Sequence, residues 1–365
     1  MTHSETNPRD EQALPGEGPG AGPRAGSHAA ATEGAGTGET GGAGAMLRLI
    51  RPKQWAKSAF VLVGPAYGLA LKDPRAWPAV LAIVFAFNFA SSACYILNDL
   101  RDAAQDRLHP RKRKRPIASG EVSASAARRL SAGLFLLSGA CVLALFVAPA
   151  REGAALTVNM DPRVVAGGLG AACVLLYVLN VVLYTVHFKL RPVLDVLSLS
   201  MGFVLRVLGG CAAVLVEPSA WLLNCTLFIS MFLALGKRLG ERRTMGAMAA
   251  NVRGVQAFYT DDLLRMLVVM TAVACLLSYS DYVQAKALEY TFGFNLLWLT
   301  MIPATYAVFR AVLLLERGVY DDPTEVATRD RAFIVSALGF ALVTGALMVL
   351  KMRGAIGVVQ PTLAP

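Results

Sequence analysis

The segment Asn98-Asp99-Leu100-Arg101-Asp102-Ala103-Ala104-Gln105-Asp106 spaces three carboxylates at i, i+3 and i+7. On a continuous helix they fall within an arc of about 60° on one face. Acids crowded in this way repel one another and hold their protons more tightly, a penalty that a divalent cation removes. Hard oxygen donors that leave water sites open suit Mg²⁺ bound jointly with the phosphates of a substrate. Asp99, Asp102 and Asp106 are therefore the candidate metal ligands and catalytic groups. The plain alternative is a solvated acidic helix end countered by Arg101 and Arg107.

Directly downstream runs His109-Pro110-Arg111-Lys112-Arg113-Lys114-Arg115-Pro116-Ile117-Ala118-Ser119-Gly120. Five consecutive cations beside an acidic face can neutralise a phosphate delivered with a metal; a topogenic, lipid-binding patch is the competing reading. Tyr184, Lys189, Asp195 and Arg206 surround the junction of two apolar stretches. Ionisable groups at membrane depth usually face a cavity, and a structural Asp195–Arg206 pair is the alternative. A third basic stretch, Gly236-Lys237-Arg238-Leu239-Gly240-Glu241-Arg242-Arg243, carries one carboxylate. Arg51-Pro52-Lys53-Gln54-Trp55-Ala56-Lys57 joins cations to an interfacial tryptophan, as membrane anchors also do. His109 and His187 have no partner at ligand spacing, and no Walker loop, GxSxG elbow or HExxH pattern occurs.

The elements that must position these groups are membrane helices. Charged residues make up only 16% of the chain, against roughly a quarter in a soluble domain, and mean hydropathy is +0.50. Nine apolar segments stand out, near Ser58–Leu71, Trp77–Leu97, Leu130–Val147, Val164–Tyr184, Val193–Leu215, Trp221–Leu235, Met266–Tyr282, Phe294–Leu315 and Phe333–Leu350. Most approach the ~20 residues that cross a bilayer. The loops on one side hold most of the lysines and arginines. The opposite loops hold Lys72, Arg75, Arg151, Arg163, Lys286, Lys351 and Arg353. The positive-inside rule then makes the basic side cytoplasmic, with the N-terminus inside and the C-terminus outside. The net charge of +10 is explained by an anionic leaflet without nucleic acid. Residues 1–45 are rich in Gly and Ala and poor in large apolar residues, so they are expected to be a disordered tail, with 46–365 as the transmembrane domain. No signal peptide is evident. The six cysteines all fall in apolar runs without a CxxC pair and read as packing residues.

Asn98-Asp99-x-x-Asp102-x-x-x-Asp106, followed by Arg115-Pro116-Ile117-Ala118-x-Gly120, resembles the first signature of the UbiA superfamily of intramembrane prenyltransferases. The finer resemblance is to decaprenyl-phosphate phosphoribosyltransferases. It rests on Arg51-Pro52-Lys53-Gln54-Trp55, on Tyr184-x-x-x-Phe188-Lys189-x₅-Asp195 leading to Gly202-Phe203 and Arg206, and on Gly236-Lys237-Arg238-x-x-Glu241. Glu316-Arg317-Gly318 and Arg329-Asp330-Arg331 add to it, so it extends from about Leu47 to Arg331. Phe188 stands where that family commonly has Leu. The resemblance implies an all-α polytopic membrane protein, a nine-helix UbiA-like bundle whose active site faces the cytoplasm.

The implied reaction is Mg²⁺-dependent transfer of 5-phosphoribose from phosphoribosyl diphosphate (PRPP) to a polyprenyl phosphate, releasing diphosphate, with a product that feeds cell-wall arabinan. Prenyl-diphosphate users of the superfamily carry a second acidic motif where this chain has Lys237 and Arg238, which suits a donor with an additional phosphate. On this resemblance Asn98 orients or completes the shell of the metal held by Asp99, Asp102 and Asp106, and Asp195 holds a ribose hydroxyl. Lys112, Arg113, Arg115, Lys189, Lys237 and Arg238 meet phosphates, with Tyr184, Arg206 and Glu241 also in the substrate site. Lys53 and Lys57 lie near the lipid phosphate. The expected partners are the two substrates and the bilayer, without nucleic acid, and a homo-oligomer is compatible with the sequence. Two alternatives remain at this level: prenyl transfer from a polyprenyl diphosphate, and a membrane transporter with charges inside its spans.

Overall fold

The computed structural model describes residues 42–108, 112–150, 160–245, 258–319, 326 and 328–357. Among these the chain is helical, with one isolated bridge between Thr291 and Asn295 and no strand. In order, the helices are α1 (Ala43–Ile50), α2 (Ala59–Tyr67), α3 (Ala76–Leu108), α4 (Ala124–Leu145), α5 (Pro162–Val186), α6 (Leu194–Ala213), α7 (Ala220–Met245), α8 (Asp261–Ala285), α9 (Met301–Glu316) and α10 (Arg331–Met352). The 8 helices from α3 to α10, α9 with its leading 3₁₀ turn, are long and apolar enough to cross a membrane. Residues such as Leu136, Leu143, Leu175 and Leu342 stand exposed on them, as expected of surfaces solvated by lipid.

The remaining expected span, near Ser58–Leu71, is built differently. A 3₁₀ segment over Pro52–Ser58 leads into the short α2, and a second 3₁₀ turn covers Ala70–Lys72. The cause is local: Pro65 inside α2 cannot donate a backbone hydrogen bond to the preceding turn, and Gly64 precedes it. Among the described residues the bundle therefore has eight helices of spanning length, and the segment expected as the first span is short and broken.

Helices α3 and α6 form the centre. In their spanning windows 61% and 72% of residues are buried, against 11% for α10 at the periphery. Small side chains let α6 approach its neighbours: a Cβ at Gly210 would lie 1.9 Å from the Val61 carbonyl oxygen of α2, and one at Gly64 would lie 2.2 Å from Cys211 Sγ. Close approach through small residues is a main source of helix association in membranes. Gly210→Ala is accordingly expected to destabilise the fold by about 1–3 kcal/mol. Gly139→Ala, where a Cβ meets nothing within 4 Å, serves as the neutral control. Equal melting temperatures for the two variants in detergent would contradict this packing.

Two features prepare the site. Helix α3 has 33 residues, or about 50 Å at 1.5 Å per residue, against a hydrocarbon core of about 30 Å. Its last turns, bearing the acidic residues, therefore project beyond the membrane core as continuous helix. Helix α1 starts at Ala43, with Ala45 and Leu49 buried beside Ala93 and Ile96 of α3. The composition break at Met46 falls inside this helix, while residues 1–41 lie outside the described residues. Between α1 and the 3₁₀ segment, Arg51 adopts a left-handed backbone (φ 55°, ψ 59°), a costly conformation for a non-glycine residue. The segment is tied to α3 by Trp55 Nε1 donating to Ser92 Oγ (3.1 Å), which donates to the Ile50 carbonyl (2.7 Å), and by Ser58 Oγ donating to Asn88 Oδ1 (2.5 Å).

Candidate functional site

The three acids of α3 do share a face, and each is met by cations from elsewhere in the chain. Asp99 is 3% exposed. Its oxygens accept from Arg51 Nη2 at 2.7 and 2.5 Å and from Arg115 Nη1 at 3.0 Å. The same Arg115 nitrogen donates to Asp106 Oδ2 at 2.8 Å. Asp102 is more open and accepts from Lys189 Nζ at 3.2 Å and from Asn98 Nδ2 at 3.2 Å. Among the described residues no three potential ligands converge closely enough to hold a metal unaided. The donors are nonetheless all hard oxygens, a set that suits Mg²⁺ completed by phosphate oxygens and water.

Above this face opens a polar cavity of about 190 Å³, large enough for several water-sized groups. Arg51, Lys57, Tyr95 and Asn98 form one wall; Tyr177, Asn180 and Tyr184 of α5 form a second; Ser198, Phe203 and Arg206 of α6 form a third. The Tyr95 ring lies under both the Arg51 guanidinium (5.2 Å to the centroid) and Lys57 Nζ (5.9 Å). These are cation–π distances that keep two positive groups side by side. Asn180 and Ser198 clamp α5 to α6: Asn180 Nδ2 donates to the Ser198 carbonyl at 2.8 Å, and Ser198 Oγ donates to Asn180 Oδ1 at 2.9 Å.

A second cavity of about 510 Å³ lies between α2, α7, α8, α9 and α10, and its lining by apolar groups suits a hydrocarbon. Its walls include Phe60, Tyr67, Trp221, Ile229, Phe232 and Phe340. Phe60 packs edge-on against Phe203 with centroids 4.8 Å apart. Since Phe203 lines the polar cavity, this pair separates the two spaces.

The sequence-predicted residues divide into three groups. Asp99, Asp102, Asp106, Asn98, Arg115, Lys189, Lys57, Tyr184 and Arg206 come together on the acidic face or around the polar cavity. Asp195, Arg238 and Glu241 form a separate network off that cavity. Asp195 is 0% exposed and accepts from Arg238 Nε at 3.1 Å and from Tyr259 O–H at 2.8 Å. Arg238, itself buried, also donates to Glu241 Oε2 at 3.3 Å. Burial first, and then the adjacent Asp195 carboxylate, push the Tyr259 phenol up to about 12. The Asp195–Arg206 pair that was the alternative from sequence does not form: Asp195 belongs to Arg238. In the third group, Lys53, Arg113 and Lys237 are exposed and Lys112 is half-buried, none of them lining the cavity, while His109 and Arg111 lie outside the described residues.

Arg51, Tyr95, Tyr177, Asn180 and Ser198 are site residues that the sequence reading did not select as such. Asn180 carried a legible signal, an amide in the middle of an apolar span. Tyr95 lies one turn before Asp99 on the same helix. Arg51 had no local signal for its role, because its partner is 48 positions away.

A family model described as the UbiA prenyltransferase family matches residues 58–338. A decaprenyl-phosphate phosphoribosyltransferase of Corynebacterium glutamicum is 32% identical, over 81% of this chain and 84% of its own length. The protein of the same name from Mycolicibacterium smegmatis is 30% identical, over 82% and 91%. Among solved structures, a UbiA homologue from Archaeoglobus fulgidus bound to DMAPP and Mg²⁺ superposes with a TM-score of 0.58 at 17% identity, covering 84% of this chain and 99% of that one.

Proposed function

We propose, from the premise that this chain belongs to the UbiA prenyltransferase family and is a membrane-bound transferase, that it moves 5-phosphoribose from PRPP to a polyprenyl phosphate. The observation that carries this reading is the charge of the site. One acidic face is surrounded by Arg51, Arg115 and Lys189, and the adjoining cavity adds Lys57 and Arg206. Set against the three carboxylates, the five cations leave two positive charges before any metal binds, which suits a donor with a further phosphate and an acceptor that is itself a phosphate. The names of the relatives at 32% and 30% identity support the same chemistry.

In the proposed reaction a phosphate oxygen of the lipid attacks C1 of the ribose, and the C1–O bond to diphosphate breaks with its electron pair leaving on diphosphate. The acceptor is already anionic, so no general base is required. Mg²⁺ held by Asp99, Asp102 and Asp106 would neutralise charge building on the leaving group; a UbiA homologue that binds Mg²⁺ with a prenyl diphosphate supports this use of the face. Arg51, Arg115 and Lys189, which now pair with the carboxylates, are in reach of the diphosphate oxygens, and charge-assisted contacts of this kind are strong. Asn98 orients Asp102 through its amide. The apolar cavity lined by Phe60 and Phe232 takes the first part of the polyprenyl tail, with the phosphate passing Phe60–Phe203 into the polar space. The basic loops argue for a site on the cytoplasmic side, and the transferase domain is taken as residues 46–365 extended by Ala43–Ala45 of α1, with the preceding residues as a tail.

The test is direct. Purified full-length protein, given labelled PRPP, a polyprenyl phosphate and Mg²⁺, should form a labelled lipid. Transfer from a prenyl diphosphate with PRPP inert would support the prenyl-transfer alternative and sink this one. Lys189→Met is expected to raise the KM for PRPP more than that for the lipid. Loss of one charge-assisted contact costs about ten- to a hundredfold in kcat/KM. An unchanged donor KM would remove Lys189 from the site.

A further inference from the structure

Arg206 is a buried cation without a counter-charge. It is 4% exposed, in the middle of α6. Nη1 donates to the Gly202 carbonyl one turn earlier at 2.8 Å, and Nη2 donates to the Tyr177 hydroxyl at 2.9 Å. Nε is buried and has no partner. The guanidinium carbon lies 4.4 Å from the Tyr177 ring centroid and 5.8 Å from those of Phe87 and Phe203. Among the described residues no carboxylate pairs with it. The Gly202 carbonyl, the Tyr177 hydroxyl and the three rings accommodate the cation by hydrogen bonding and cation–π attraction, which leaves its full charge uncompensated.

A buried arginine normally sits against a carboxylate, because desolvating a lone charge is strongly unfavourable. The same chain follows that rule elsewhere, at Arg238 with Asp195. Arg206 departs from it while lining the polar cavity, so its counter-charge must come from what the cavity binds. Its location narrows the choice. Ser91 and Cys94, one to two turns deeper on α3 than the acidic face, line the same space. Phe203, which forms the partition with Phe60, is one of the rings around the guanidinium.

We infer that Arg206 is the seat of a phosphate monoester at the inner end of the polar cavity, separate from the diphosphate seat on the acidic face. This rests on the phosphoribosyl-transfer reading, which supplies two monoesters: the polyprenyl phosphate and the 5-phosphate of the donor. A lipid entering from the apolar cavity presents its phosphate beside Phe203, which favours the lipid as the source. Arginine rather than lysine is required, because a planar guanidinium can stack among the rings while Nη1 and Nη2, each holding one protein acceptor, keep a second N–H for an oxygen in the cavity.

The experiment measures equilibrium binding of farnesyl phosphate and of ribose 5-phosphate to full-length protein without turnover, for wild type, Arg206→Met and Arg206→Lys. Arg206→Met is expected to weaken one of the two ligands by about ten- to a hundredfold and to leave the other within about threefold, with Arg206→Lys recovering little of the loss. Weakened farnesyl phosphate identifies the lipid as the source; weakened ribose 5-phosphate identifies the donor. The melting temperature of Arg206→Met is expected to equal or exceed that of wild type, since an uncompensated buried charge is removed. A lower melting temperature with unchanged binding of both ligands would make Arg206 structural and overturn the inference. Wild type that binds neither monoester would instead remove the phosphoribosyl reading on which it rests.

Discussion

Asp102→Asn is expected to lower kcat/KM by at least about a hundredfold, the scale seen when one preorganised electrostatic contact to a transition state is lost. Asp102 is the cleanest of the three acids to change. Its partners are Lys189 and Asn98, and its side chain is 23% exposed, so the folded state loses little. Asp99→Asn should be at least as damaging to turnover. It also frees Arg51 and Arg115 from their shared carboxylate, and part of its effect will be on stability. The distinguishing measurement is the Mg²⁺ concentration for half-maximal activity, which should rise in Asp102→Asn while the melting temperature stays near wild type. Full activity after chelation of divalent ions, or near-wild-type turnover in both variants, would reduce the acidic face to a set of structural ion pairs.

Arg238→Ala is expected to act on the fold far more than on substrate affinity. The guanidinium and Asp195 are both buried, with 3% and 0% of their side chains exposed, and removing one member leaves the other charged and unpaired. Such deletions typically cost about 3–5 kcal/mol, a large share of the stability of any domain. Asp195→Leu with Arg238→Met should be less destabilising than either single change, since an apolar pair replaces a buried ionic one and no buried charge of that pair is left alone, although the Tyr259 hydroxyl loses its acceptor. Thermal unfolding in one detergent gives all four values. If Arg238→Ala instead melts like wild type and raises only the KM for PRPP, Arg238 is a phosphate contact and the buried network has been misread. The position of Tyr259, which donates to Asp195 and accepts from the Val193 backbone N–H at 2.7 Å, ties this network to the strained entry of α6, where Val193 has φ 68°. Its loss should therefore propagate to the α6 helix that carries Arg206.

Much of this protein is decided by local sequence. Runs of apolar residues near twenty in length leave few options in a bilayer except helices, so the bundle is legible from hydropathy alone. The acidic face of α3 is equally local: residues three and seven apart align on any helix that continues, and α3 does continue through Asp106. The break at Gly64-Pro65 was also present in the sequence, although its effect on the first span was not drawn from it.

Which charges meet which is another kind of fact. Asp99 is 48 residues from Arg51, and Asp195 is 43 from Arg238 and 64 from Tyr259. No periodicity links such positions; the rotation and depth of one helix against another set the pairing. Arg206 shows the consequence most directly. In sequence it is one of two ionisable residues eleven positions apart in a single apolar stretch, and the nearer acid is its obvious partner. Helix geometry separates them along α6 by about 16 Å, at 1.5 Å for each residue. Packing then brings α7 and Tyr259 to Asp195 at one end, and an aromatic surround of Phe87, Tyr177 and Phe203 to Arg206 in the middle. The charge left without a partner exists only in the folded bundle, because only there are the competing carboxylates committed elsewhere.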